Sequence, residues 1–115
     1  MAYTYMVRCT DGSLYTGIAK DIGRRMREHY YKKKHGAKYT KSRQVSSLEM
    51  VWETDHWSHA AKLEFWIKQL KKPQKEELLS HPEKANQLSD FLQQGIIFVP
   101  HPEYTLEMYL DEDMG

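Results

Sequence analysis

Long apolar runs are absent from these 115 residues. Nothing approaches the ~20 consecutive apolar residues that a membrane-spanning helix needs, and the amino terminus lacks the basic-then-apolar pattern of a secretory signal. The chain therefore reads as soluble and cytoplasmic. Cysteine is nearly absent too: Cys9 stands alone, so an internal disulfide and any paired-cysteine metal motif are excluded. In a strand-like context it reads as a buried residue rather than a reactive one. His35, His56, His59, His81 and His101 show no paired metal-ligand spacing. There is no internal repeat, low-complexity tract, glycine-rich phosphate loop or Ser-His-Asp order.

What is present fits one domain with one modest core. The net charge of +1 conceals an asymmetry. From His81 onward a single lysine faces seven carboxylates, a balance of −6, which leaves +7 on residues 1–80. A basic body suits a polyanion, whereas the acidic end could screen that surface or aid solubility.

The chain is organised around Tyr3 to His29. Two aromatic-rich runs flank Asp11-Gly12, a strong hairpin signal, and an N-capping Asp21 then opens a helix with Ile22, Met26 and Tyr30 on one stripe. Register decides what this hairpin can do. A two-residue loop would send Tyr5 and Tyr15 to opposite faces, because side chains alternate. A three-residue loop, Thr10 to Gly12 with Gly12 left-handed, instead pairs Cys9 with Ser13, Val7 with Tyr15 and Tyr5 with Gly17. The second register is preferred, since a bare glycine leaves room for the neighbouring phenol ring. Both phenols then share a face, and of the helix arginines Arg25 is best placed to lean over it. His29 falls at the border of the stripe.

Beyond the helix, residues 30–43 form a basic, aromatic loop. Leu48 to Thr54 reads as a third strand with Leu48, Met50 and Trp52 on one side, and Ser58 as the cap of a helix whose core stripe is Leu63, Trp66, Ile67 and Leu70. Pro73 restarts a helix through Leu79, and Pro82 opens another with Leu88, Phe91 and Leu92 as its apolar face and Gly95 past its end. Ile96 to Val99 and Tyr104 to Leu110 are strand candidates.

Two tyrosine motifs ten residues apart, the second ending in glycine, and an arginine eight residues beyond that glycine resemble the GIY-YIG nuclease domain. Tyr3-Thr4-Tyr5 stands where the family has Gly-Ile-Tyr, and Tyr15-Thr16-Gly17 where it has Tyr-Ile-Gly. Gly36-Ala37-Lys38-Tyr39-Thr40 and Glu64 with Lys68-Gln69-Leu70 are similar to the small stand-alone bacterial members. Ile18 departs from the members that carry a lysine there. The resemblance spans Tyr3 to Leu79. It implies an α/β (α+β) sandwich with a small, mostly antiparallel three-stranded sheet flanked by helices, as a nuclease-like domain over residues 1–80. Residues 81–115 would be an acidic α+β extension, packed on that domain or on a second copy as a homodimer contact.

The resemblance further implies a metal-dependent endonuclease, structure-selective or weakly sequence-selective, acting on DNA that could be branched, flapped or single-stranded in repair or recombination, with Mg²⁺ (or Mn²⁺) as cofactor. Tyr5 and Tyr15 would be the phenols, one assisting deprotonation of the attacking water. Arg25 would be the cation on the phosphate, and Glu64 the single carboxylate ligand of the ion. His29 joins this set as a proton shuttle, or is simply a half-buried helix residue. Gly12 and Gly17 are structural. Lys32, Lys33, Lys34, Lys38, Tyr39, Lys41 and Arg43 would bind nucleic acid, by phosphate neutralisation and base stacking. Taken singly, the tyrosines could be packing residues and Glu64 a mere partner of Lys68 at i+4. A binding module without catalysis is the alternative, and an interaction protein built on the acidic extension a third reading. The extension would either cover the Lys32–Arg43 loop as a phosphate mimic or pack on the far side as a cap.

Overall fold

The computed structural model describes residues 1–31, 44–92 and 95–112. Strands β1 (Ala2–Cys9) and β2 (Leu14–Ala19) form the expected hairpin, and helix α1 (Ile22–Tyr31) follows. Strand β3 (Val45–Thr54) leads to helices α2 (Trp57–Lys68) and α3 (Lys72–Ser80), then a 3₁₀ turn (Pro82–Ala85), helix α4 (Asn86–Leu92), strand β4 (Val99–Pro100) and helix α5 (Leu106–Glu112). The mixed α/β layering agrees with the sequence reading, and the sheet gains a short fourth strand in the antiparallel order β2-β1-β3-β4.

Strand β1 lies between β2 and β3, and both its faces are covered. On one, Tyr5, Val7 and Cys9 pack with Ile22 and Met26 of α1 and Leu106 of α5. On the other, Met6 meets Met50 and Trp52 of β3, Leu63 and Ile67 of α2, and Leu78 of α3. The expected row of Leu48, Met50 and Trp52 is broken. A register shift between Met6 and Val7 pairs Met6 with Met50 but Val7 with Leu48, which leaves Glu49 as an extra residue. Such a bulge resets the two-residue period, so Leu48 joins the Val7 face. Glu49 thereby meets Arg8, whose guanidinium also grips Glu76 of α3 with bonds of 2.6 and 3.0 Å. That fork ties the hairpin to the opposite helix layer.

Several local expectations are corrected. Helix α2 starts one residue before Ser58, with His56 as its N-cap. Tyr30 is 36% exposed, and it is His29 that completes the buried stripe of Ile22 and Met26. The Ile96–Val99 run is extended but pairs only at its end. Ile96 and Phe98 are buried, Ile97 is exposed, and the Asn86 amide stands in for a strand by bonding both Phe98 N–H and C=O. Tyr104 to Leu110 is not a strand: Thr105 caps Met108 N–H, and Leu106, Tyr109 and Leu110 then fall on the inner side of α5. The side chains of Phe91 and Leu92 lie outside the described residues. Among the described residues no helix is long and apolar enough to cross a membrane.

Candidate active site

Turn chemistry sets the site's register. Cys9 N–H donates to Ser13 C=O, Gly12 N–H donates to Cys9 C=O, and Gly12 takes φ +85°, which makes the three-residue loop. Tyr5 consequently opposes Gly17 and Val7 opposes Tyr15. The bare glycine is required here: a Cβ at position 17 would lie 2.5 Å from the Tyr5 oxygen and 3.1 Å from the Tyr15 ring. The two phenol rings stand 6.4 Å apart on one face, as the register implies.

Helix α1 supplies the next two groups. Asp21 Oδ1 accepts Arg24 N–H at 3.0 Å, fixing the first turn, so Arg25 and His29 lie one turn apart above the phenols. Arg25 Nε donates to the Tyr5 oxygen at 3.3 Å, and the Tyr5 oxygen lies 2.6 Å from His29 Nε2. The imidazole sits edge-on between the two rings, 5.6 Å from Tyr5 and 5.4 Å from Tyr15.

Burial governs the protonation of this group. Tyr5 and His29 are both fully buried. Burial pushes the His29 pKa down to about 4, helped by the Arg25 charge, so the ring is neutral near pH 7. Burial likewise raises the Tyr5 phenol; the Arg25 bond opposes this, and the negative side of Glu64 adds to it. A protonated phenol between a cation and a neutral imidazole accepts from the first and donates to the second. Partial burial works against the Arg25 charge, yet the Tyr5 bond, the two phenols and Glu28 outweigh it and raise its pKa.

Glu64 comes from α2, at the β2 edge. Its side chain is 23% exposed and lies 3.6 Å from Lys68, whose ammonium sits 5.9 Å from the Tyr15 ring centre. The structure thus brings Tyr5, Tyr15, Arg25 and His29 together, with Glu64 near enough to act on Tyr5 electrostatically. Lys68 over Tyr15 was not anticipated as a site residue, although its i+4 spacing from Glu64 and its place in the Lys68-Gln69-Leu70 stretch were both available signals. The Thr16 hydroxyl is buried without a partner among the described residues, where the family pattern has an isoleucine. Lys32, Lys33, Lys34, Lys38, Tyr39, Lys41 and Arg43 lie outside the described residues.

A divalent ion would have to draw on this donor set. No cluster of three or more His, Cys, Asp or Glu able to hold a metal occurs among the described residues. A closed structural site is therefore not what these residues offer. A single part-exposed carboxylate does suit Mg²⁺, which keeps several waters and is often completed by substrate phosphate oxygens.

Two phenols on an antiparallel sheet, with an arginine and a carboxylate brought beside them by two flanking helices, mark a small α/β domain with one composite site. The sequence model of the GIY-YIG catalytic domain matches residues 1–77, and the chain belongs to the GIY-YIG family. It is 49% identical over 81 residues to the UPF0213 protein FN1575 of Fusobacterium nucleatum, covering 70% of this chain and 79% of that one. The UPF0213 protein YhbQ of Salmonella arizonae is 37% identical over 95 residues, 83% of this chain and 93% of that one. The solution NMR structure of the UPF0213 protein BH0048 from Bacillus halodurans is similar at 32% identity and TM-score 0.47. That match covers 84% of this chain and all of the other.

Proposed function

We propose that this protein is an endonuclease that hydrolyses DNA phosphodiester bonds with Mg²⁺ or Mn²⁺, selective for DNA structure and acting in repair or recombination. The observation that carries this reading is the buried Tyr5–His29 pair holding Arg25 beside Tyr15. Glu64 would hold the ion, which when bound polarises the phosphate and its leaving oxygen.

The chain's own residues divide the work by exposure. Tyr5 and His29 are sealed from solvent, so they act as positioning residues: the phenol fixes the Arg25 fork, and the imidazole fixes the phenol. Arg25 keeps part of its side chain exposed and meets the negative charge that grows on the phosphate. Tyr15 is the part-exposed phenol and orients the attacking water, with the Lys68 ammonium close to its ring.

The test is cleavage of a panel of branched, flapped, nicked and single-stranded DNAs with Mg²⁺ or Mn²⁺. Arg25→Ala and Glu64→Ala should each lose activity by at least ~10²-fold, the scale of one lost electrostatic stabiliser, while keeping the wild-type melting temperature within a few degrees. Tight, salt-sensitive binding by wild type with no cleavage anywhere on the panel would replace this reading by the binding-module alternative.

A further inference from the structure

Three tyrosines from opposite ends of the chain meet away from the catalytic phenols. Tyr3 of β1, Tyr104 ahead of α5 and Tyr109 within it line a cavity of about 310 Å³, with Lys20 and the first turn of α1 as its floor. The rings are set: Tyr104 stacks on His101 with centres 4.4 Å apart and planes 7° apart, and meets Tyr109 at 78°. Gly23 makes room for this, since a Cβ there would lie 3.0 Å from the Tyr109 ring. Tyr104 and Tyr109 lie beyond the residues that the family model matches.

This cavity is not isolated. Lys20 and Asp21 also line a second hollow, of about 270 Å³, which runs past Arg24 to Arg25. Asp21 spends one carboxylate oxygen on the helix cap and Glu28 faces Arg25, so the cations of this path are Lys20, Arg24 and Arg25. Tyr3 lies two residues before Tyr5 on the same face of β1, a distance of about 7 Å along a strand. Ring surfaces at one end, cations along the way and the phosphate-binding arginine at the other are the three features of a single-strand groove.

We propose that the tyrosine cavity is a nucleoside subsite: it takes one unpaired base of a DNA strand whose backbone passes Lys20 and Arg24 to the phosphate at Arg25. The volume suits one base and its sugar, near the lower end of small-ligand sites at ~300 Å³. This rests on the nuclease reading and gives it a substrate class. A base must leave its stack to enter, so DNA with an unpaired nucleotide beside the cut is bound in preference to continuous duplex.

The experiment is fluorescence anisotropy with the full chain and a labelled single-stranded oligonucleotide, intact or carrying one abasic position moved along it. In wild type one position should weaken binding about tenfold, the worth of one stacked base. Tyr104→Leu and Tyr109→Leu should weaken the intact strand similarly and leave the strand abasic at that position unchanged. An abasic scan that is flat in a wild type that binds or cuts DNA overturns the subsite and leaves the nuclease standing. So do leucine variants that weaken both strands equally. A wild type that neither binds nor cuts any DNA removes the nuclease reading and the subsite with it. The scan needs no variant, so a leucine variant that fails to fold does not shelter the idea.

Discussion

At the scale of single residues, the site depends on one missing methyl group. The Tyr5 oxygen is held from two sides, by Arg25 and His29, so it cannot retreat from a new Cβ at position 17. Gly17→Ala should therefore cost about 1–3 kcal/mol of stability by overpacking and displace Tyr5. Urea unfolding checks the first part, and loss of cleavage in the variant that still folds checks the second. Wild-type stability together with wild-type activity would contradict the close approach. This contact was legible in the sequence, because Asp11-Gly12 chemistry fixes the loop, the loop fixes the register, and the register names the glycine. The burial of His29 was not legible in the same way. A helical period places it near a stripe, but only the opposing Tyr5, on a different element, turns that border position into an interior one.

At the scale of elements, β4 and α5 are fastened to the sheet by His101. Its Nε2 lies 2.7 Å from Glu53 of β3 and its Nδ1 2.8 Å from Glu103, with Tyr104 stacked on its face and Tyr3 paired across from Glu53. Burial depresses the His101 pKa, but the bonds to Glu103 and Glu53 outweigh it and raise the value above the ordinary 6.5. A raised imidazole stabilises fully below 6.5 and loses that contribution as pH climbs through the folded-state value. His29 works the other way: depressed to about 4, it costs stability as pH falls below 6.5, because the unfolded chain takes up a proton that the folded one refuses. The two must be separated by subtraction. The stability difference between wild type and His101→Gln, measured by urea unfolding, should be largest near pH 6 and shrink toward pH 9. A difference that grows with pH would sink the ion-pair assignment. None of this could be read from the sequence, since Glu53 and His101 are 48 positions apart and the strand run before His101 pairs over only two residues. The bulge at Glu49 was equally hidden: nothing in an alternating Leu48-Met50-Trp52 pattern announces an inserted residue.

At the scale of the whole molecule, the acidic extension is drawn into both layers, with Phe98 in one core and Leu106 in the other. Helix α5 lies against α1, where Arg27 donates to the Tyr109 carbonyl. Deleting residues 111–115 removes three carboxylates while keeping the Leu106 anchor. DNA affinity should then rise most at low salt, where screening lengths reach ~30 Å at 0.01 M, and converge with wild type near physiological salt, where they fall to ~8 Å. The melting temperature should change little. Equal affinities at low salt would leave the extension a structural cap and no competitor for the phosphate-binding surface.

Strand β1 finally sets the clock for the site. Its amides are paired on both sides and its faces are closed by two helix layers. Such a strand does not fray; its hydrogens exchange with solvent only when the entire chain opens. Tyr5 rides on that strand, so the positioned phenol has no partly melted form of its own. On heating, the Tyr5 phenol should therefore lose its buried surroundings in one step, together with the fold.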